Sequence, residues 1–387
     1  MNNASNKNKK RVLVAMSGGV DSSVTAALLV QSDKYEVAGA YMKNWSDEEF
    51  LDFCTSEKDQ FDARRVAAKL DISFYTFNFE KEYYDAVVKY MIEEYRAGRT
   101  PNPDMLCNRE IKFGIFLKKA LSLGFDYVAT GHYTRLRRKF PISNFQFPTK
   151  QKTKNSKAIY KLYEAKDKNK DQSYFLSQLT QNQLKYAIFP IGDYDKPEVR
   201  KLAKKFDLPT AEKKDSQGIC FIGPMRLLEF LKTKIKSKKG LVKTLQGKVV
   251  GQHEGAEFFT IGQRKGIGSP GGGTPYFVVA KDTKKNILYV SEGDQEDLYK
   301  KELVAENVNW ISGSAPKKSF QALARIRYRQ PLQKARFFEI SNLNPPAGGQ
   351  ISKLRVVFDE SQRAVTPGQF VVFYLKSGEM LGGGVIK

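Results

Sequence analysis

With 387 residues the chain is longer than one average domain, and its 41% apolar and 12% aromatic content is enough to fill cores, which excludes wholesale disorder. Against 42 Asp and Glu stand 65 Lys and Arg, a net charge of +23 that points to a polyanionic partner, nucleic acid ahead of an anionic membrane surface. Three cysteines exclude a disulfide framework, and no apolar run approaches the ~18–20 residues of a membrane span, so no membrane partner and a cytoplasmic, reducing setting are expected.

Residues 1–10 hold no apolar stretch and read as a flexible tail, without a secretory or organelle leader. Residues 11–16 read as a buried parallel strand, 17–23 as a glycine-bearing turn, and 24–30 as the opening of a helix. Strands follow at 36–42, 73–79 and 126–133, with helices at 61–70, 83–97 and 111–123. Strands alternating with helices of this length predict an α/β domain with a mainly parallel sheet, whose ligands sit at the carboxyl ends of strands. After about residue 225 the pattern changes. A helix at 225–231 leads into short apolar stretches at 248–251, 258–262, 276–280 and 287–290. Period-two alternation at 319–328, 335–340, 353–358, 370–375 and 380–386 predicts a small β-barrel or sandwich.

The charge is concentrated. Residues 134–157 hold eight basic residues and no acid, and 232–243 hold six lysines and no acid, together 14 of the 23 excess charges. A solvated loop and a phosphate-tracking surface both fit the first stretch.

Ser17-Gly18-Gly19-Val20-Asp21-Ser22-Ser23 lies between a buried strand and a helix. Glycines let backbone N–H groups approach an anion, the helix N-terminus adds its dipole, and Asp21 can hold a phosphate-bridging Mg²⁺. Without G-x-x-x-x-G-K-[ST] this is not an ordinary P-loop; it resembles the PP-loop of ATP pyrophosphatases. Two cysteines lie in polar, turn-rich settings. Cys107 follows Pro101-Asn102-Pro103-Asp104, and Cys107 or Asn108 is expected to begin a helix, which would favour thiolate. Cys220 lies in Lys213-Lys214-Asp215-Ser216-Gln217-Gly218-Ile219-Cys220, where two lysines would do the same. Zinc is not expected, with no C-x-x-C and two histidines. Cys54 reads as packing or incidental, and His253 carries no assignment.

The ordered blocks SGGVDSS, MKNW, GRTPNPDMLCNREIKF, ATGHY, NKDQSYFL, KKDSQGICFIG, TIGQRKGIG, RIRYRQ, TPGQFVVFY and LGGGVI resemble the tRNA-specific 2-thiouridylase family, from about Arg11 to Ile386. The resemblance implies an α/β N-terminal PP-loop domain (adenine nucleotide alpha hydrolase-like, parallel sheet) at 1–225, a small central mainly-β domain at 226–296, and a C-terminal β-barrel that binds tRNA at 297–387. It implies that ATP adenylylates the wobble uridine before sulfur transfer. Ala15, Met16, Ser17, Gly18, Gly19, Val20, Asp21 and Ser22 would bind ATP phosphates, with Met42 and Gly131 framing adenine and ribose. Asn102, Pro103 and Asp104 would contact the base. Cys107 would be the nucleophile, Cys220 the persulfide carrier, and Asp104 a base or an orienting group. Lys170, Asp171, Gln172, His132, Arg327, Tyr328 and Gln369 would touch tRNA; Arg327-Tyr328-Arg329 is placed on a barrel strand. Mg²⁺, a persulfide donor and a reductant are the implied cofactors. A cysteine desulfurase or sulfur-relay protein is the implied partner, and a monomer is expected. Residues 137–157 are longer and more basic than the family's usual hairpin. Two rivals explain less: a PP-loop enzyme for a small molecule leaves the cysteines and charge idle, and a non-enzymatic RNA-binding protein leaves the loop and cysteines idle.

Overall fold

The computed structural model describes residues 9–46, 56–139, 158–214, 227–267, 274–340 and 353–387. Most of the basic 137–157 stretch, Cys54 and Cys220 lie outside the described residues, as do residues 1–8 of the N-terminal tail.

The N-terminal domain is built on β1 (Lys10–Ala15), α1 (Val20–Gln31), β2 (Tyr35–Lys43), α2 (Ser56–Lys69) and β3 (Ser73–Asn78). Two helical runs follow, each with a π-helical stretch inside it. The first is α3 (Glu80–Tyr83), Tyr84–Val88 and α4 (Lys89–Arg96); the second is α5 (Pro103–Leu106), Cys107–Ile115 and α6 (Phe116–Ser122). Next come β4 (Tyr127–Thr130), the hairpin β5 (Arg135–Lys139) and β6 (Ile159–Tyr163), α7 (Gln181–Leu184), β7 (Ala187–Ile188) and α8 (Lys196–Lys205). The main sheet is parallel, in the order β3-β2-β1-β4-β7. The chain fills one side of β1 and then returns to the other side with β4. The carboxyl ends of β1 and β4 therefore flank the switch point where such sheets open a ligand crevice.

The central domain carries α9 (Leu227–Lys234) and a four-stranded sheet of β8 (Gly240–Thr244), β9 (Val249–His253), β10 (Tyr276–Asp282) and β11 (Ile287–Glu292). The C-terminal domain closes six strands into a barrel, β12 (Tyr299–Trp310), β13 (Ser319–Arg325), β14 (Gln333–Ile340), β15 (Lys353–Arg363), β16 (Phe370–Tyr374) and β17 (Met380–Ile386). Closure removes the open edges that a small sheet would otherwise expose. Trp310, Phe337 and Phe373 fill its interior. A separate apolar core is continuous across all three domains, and includes Met105 and Cys107 from the first, Phe230 and Val242 from the second, and Phe370 and Tyr374 from the third. Among the described residues no helix is long and apolar enough to cross a membrane.

The apolar stretch at 258–262 carries no strand and starts on the last residue of a short 3-10 turn, Ala256–Phe258. One local expectation needs correction. Residues 327–329 are off the barrel strand, because β13 ends at Arg325 and the chain turns, with Arg329 at φ 65°. The second lysine stretch is ordered at both ends, since α9 runs into it and β8 takes its end. The first stretch also begins in order: Arg137 on β5 holds Asp193 through two bonds of 2.8 and 3.0 Å.

Candidate active site

The register that sets Ala15 beside Thr130 brings the loop after β1 against Gly131 after β4. Contact there is backbone on backbone. A Cβ on Gly131 would lie 2.8 Å from the Ser22 nitrogen, and one on Gly18 would lie 2.2 Å from the Asp59 carbonyl oxygen at the start of α2. Gly18 also sits at φ 73°, a region that disfavours residues with a Cβ. The loop is tied to itself by hydroxyls. Ser22 Oγ accepts from Ser17 N at 3.2 Å and donates to Gly19 O at 3.0 Å, and Ser23 Oγ donates to the same carbonyl at 2.8 Å. No side chain caps the N-terminus of α1 among the described residues, which leaves first-turn N–H groups for an anion. Both features fit a nucleotide's phosphates. Ala15 and Met16 are buried, the Met16 N–H being spent on Ala40 O at 2.8 Å, and Met42 is half-buried near the end of β2.

Asp21 Oδ1 accepts from Tyr133 Oη and from Lys196 Nζ, both at 2.8 Å. Lys196 was not legible as a site residue; it opens α8 behind its Asp195 cap and reaches the loop from 175 positions away. Asp21 is a carboxylate on the loop that could meet a phosphate-borne Mg²⁺; among the described residues no group of three or more His, Cys, Asp or Glu gathers around a point.

The helix expected to begin at Cys107 or Asn108 begins at Pro103 instead, with Asn102 at the cap position. Proline suits the first turn because its missing N–H has no intrahelical partner there. Cys107 is thereby moved past the first turn, where the dipole's effect fades, and it opens the wide stretch Cys107–Ile115, fully buried. Asn108 donates to Asp104 O at 3.0 Å and to Phe175 O at 3.4 Å, tying the segment to residues 172–175; its buried Oδ1 has no hydrogen-bond partner among the described residues. The lysine argument for Cys220 also changes. Lys213 Nζ is bound by Asp59 at 2.7 Å and Asp62 at 2.6 Å, so its charge is met by α2.

His132 follows Gly131 and is buried. Its Nδ1 lies 2.7 Å from Thr130 Oγ1, and its ring sits 6.2 Å from the rings of both Phe113 and Phe189. Burial first, then Lys112, drives its pKa well below the usual value, so the imidazole is neutral. It links Gly131 to the Cys107–Ile115 stretch, on which Phe113 lies.

The expected tRNA contacts divide. Lys170 and Gln172 are half-buried; Gln172 N donates to Tyr133 O at 2.8 Å and its Oε1 accepts from Tyr133 N at 3.0 Å. Asp171 is only 1% exposed and is taken up internally, by Ala165 N, by Ser173 and by Arg325. It has no surface to offer a ligand. Arg327 Nη2 donates to Ile261 O, Ala364 O and Thr366 Oγ1, while the Tyr328 ring lies 4.7 Å from Phe175. Gln369 Nε2 donates to Thr100 O at 2.9 Å and Pro101 O at 3.2 Å.

A glycine-bearing loop at the switch point of a parallel sheet, joined to a small β domain and a closed barrel, defines a three-domain class, and family models match it piece by piece. Residues 10–224 match a tRNA methyl transferase HUP domain, 228–292 a tRNA methyl transferase PRC-barrel domain, and 300–386 an aminomethyltransferase beta-barrel domain. The tRNA-specific 2-thiouridylase MnmA of Geobacillus thermodenitrificans is 48% identical over 97% of this chain and 94% of its own length. Its namesake from Halalkalibacterium halodurans is 47% identical with the same coverage. The chain belongs to the tRNA-specific 2-thiouridylase family.

Proposed function

We propose that this chain is a tRNA-uridine 2-sulfurtransferase, which uses ATP to replace the 2-oxygen of a wobble uridine with sulfur. The observation that carries the reading is full-length kinship: 48% identity to a 2-thiouridylase over 97% of the chain, spanning all three domains. The domain boundaries at 225/226 and 296/297 belong to the same proposal, supported by family models that break at 224/228 and 292/300.

The uracil 2-carbonyl is a poor electrophile with a poor leaving oxygen. In the proposed reaction that oxygen attacks the α-phosphorus of ATP and pyrophosphate leaves, so that AMP becomes the leaving group. The residues for this are the backbone of Ala15, Met16, Gly18, Gly19 and Val20, the hydroxyls of Ser17 and Ser22, and the carboxylate of Asp21. Met42 and Gly131 frame the nucleoside. Mg²⁺ would offset charge on the departing pyrophosphate. The terminal sulfur of a Cys220 persulfide then attacks the uridine 2-carbon and AMP departs with the oxygen. Cys107 thiolate attacks Cys220 Sγ, the persulfide S–S bond breaks with its electron pair going to the transferred sulfur, and a disulfide forms between Cys107 and Cys220. A reductant restores the two thiols.

Asn102, Pro103 and Asp104 hold the flipped base beside Cys107, and a single-stranded loop makes flipping cheap. Lys170, Gln172, His132, Arg327 and Tyr328 serve tRNA, with Asp171 acting from the interior by fixing its two neighbours. A cysteine desulfurase or relay protein loads Cys220; the enzyme works as a cytoplasmic monomer. The test is paired: Cys220→Ser and Cys107→Ser must both lose thiolation of purified tRNA with ATP and a persulfide donor, and both must still bind ATP and tRNA. Thiolation by Cys220→Ser would remove the persulfide assignment.

A further inference from the structure

The segment proposed to hold the base and Cys107 is gripped, immediately upstream, by both other domains. Thr100 N donates to Pro367 O at 2.9 Å, and Gln369 Nε2 returns to Thr100 O at 2.9 Å and to Pro101 O at 3.2 Å. Gly368, at φ 90°, comes so close that a Cβ there would lie 3.0 Å from the Thr100 backbone. From the central domain, Thr260 Oγ1 lies 3.2 Å from Thr100 Oγ1, and Thr283 comes so near Gly98 that a Cβ on that glycine would lie 2.8 Å from its methyl carbon. Thr100 itself is buried, which limits the competition of water for the bonds it makes. The two outer domains are also tied to each other beside this point, since Arg327 of the barrel domain donates to Ile261 O of the central one.

We infer that Gln369 and Thr260 are positioning residues for the catalytic segment: the barrel and central domain hold residues 98–101 in place and thereby set where residues 102–107 lie. This rests on the proposed reading only for which segment carries the chemistry. It gives Gln369 a task inside the protein, because its amide donors are spent on two carbonyls of the N-terminal domain. It also gives the barrel a part in the reaction that tRNA holding alone does not. The stretch 98–101 ends directly before Asn102 and has little freedom once six contacts from two domains fix it. Proline at 101 and 103 carries that restraint forward, since each fixes its own φ.

The experiment reads amide hydrogen exchange of residues 99–107 in the full chain, without tRNA, ATP or sulfur donor, in Gln369→Met, Gln369→Glu and Thr260→Val. Gln369→Met keeps the length and loses both donors, and exchange of the segment is expected to rise about tenfold, as two lost neutral hydrogen bonds allow. Gln369→Glu points a carboxylate at two carbonyls and must exceed it. Thr260→Val, on a different domain, must loosen the same segment to a smaller degree. Protection in β16 and β17 is expected to stay, which separates local loosening from unfolding of the barrel. With tRNA present, the same variants are expected to lower kcat in the order wild type, Met, Glu. Unchanged exchange in all three variants overturns the inference, as does a loss confined to KM for tRNA. Failure of the wild-type chain to thiolate tRNA would remove the functional reading and leave the exchange result standing.

Discussion

Arg325 joins the barrel to the N-terminal domain through a charge cluster that water barely reaches. Its side chain is 6% exposed, and those of Glu164 and Asp171 are 9% and 1% exposed. The guanidinium contacts Glu164 at 2.5 Å and Asp171 at 3.4 Å and lies 4.8 Å from the centre of the Tyr374 ring. Arg325→Met keeps the bulk and removes the charge. Glu164 retains Lys168 at 2.9 Å, but Asp171 retains only its neutral donors, Ala165 N and Ser173. Leaving buried carboxylates unpaired costs about 3–5 kcal/mol. At 2–4 °C per kcal/mol, the unfolding transition that includes the barrel interface should fall by roughly 6–20 °C. Calorimetry of the single variant and of the triple variant Arg325→Met, Glu164→Gln, Asp171→Asn makes the decisive comparison, because a neutral, well-packed cluster should recover most of the loss. The pH dependence has a definite sign. Burial first raises the Asp171 carboxyl above its ordinary 3.8, against the pull of Ala165 N and Arg325. The folded state therefore keeps a proton that the unfolded chain has released, and stability falls as pH rises through that window. Removing Arg325 pushes the window higher, so the deficit of the single variant should be largest near neutrality and shrink toward pH 4. The same cluster fixes residues 170–172 relative to 327–328, so KM for tRNA should rise as well. A fall smaller than about 1 kcal/mol, or a triple variant no better than the single one, would refute the reasoning.

Gly18→Ala forces a side chain into φ 73° and a Cβ against the Asp59 carbonyl, so α2 must shift off the loop. ATP affinity measured by calorimetry should weaken about tenfold or more, given ~1–2 kcal/mol for the backbone alone; unchanged affinity would separate Gly18 from the nucleotide. His132, with its pKa held below 6.5 by burial, should show no ring-proton titration by NMR between pH 6 and 8. Its burial in the neutral form also makes stability fall as pH drops below 6.5, and a midpoint at the ordinary value would contradict the buried placement. Deleting residues 140–155 removes Lys150, Lys152 and Lys154. If these meet phosphates, the salt slope of tRNA binding should flatten by about 2, with saturated turnover kept; an unchanged slope makes that stretch a solvated loop.

The legible parts of the chain were those whose reasons are local. The turn at residues 17–23 announces itself because glycine, a buried strand before and a helix after are all neighbours in sequence. The prolines at 101 and 103 likewise mark a fixed backbone before Cys107, although the helix they open starts at the second proline and moves the thiol inward. What stayed hidden depends on distant partners. Nothing around Lys196 points to Asp21, nothing in RIRYRQ separates the buried Arg325 from the turn residues Arg327 and Arg329, and Thr100 resembles any loop threonine. β12 carries Lys and Glu among its first four residues and a bulge near Lys300, so its alternation is broken where the pattern would be read. Asp171 shows the converse: a motif position that resembles a contact is a buried anchor, because its meaning lies in Arg325, 154 residues on.

The account stands most directly on one measurement, the mass of nucleosides from purified tRNA incubated with this protein, ATP, Mg²⁺, a persulfide donor and a reductant. The expected product is a wobble uridine carrying sulfur in place of its 2-oxygen, formed with stoichiometric AMP and pyrophosphate and absent when ATP or the persulfide is withheld. Unchanged uridine with all components present, or thiolation that proceeds without ATP, would contradict it.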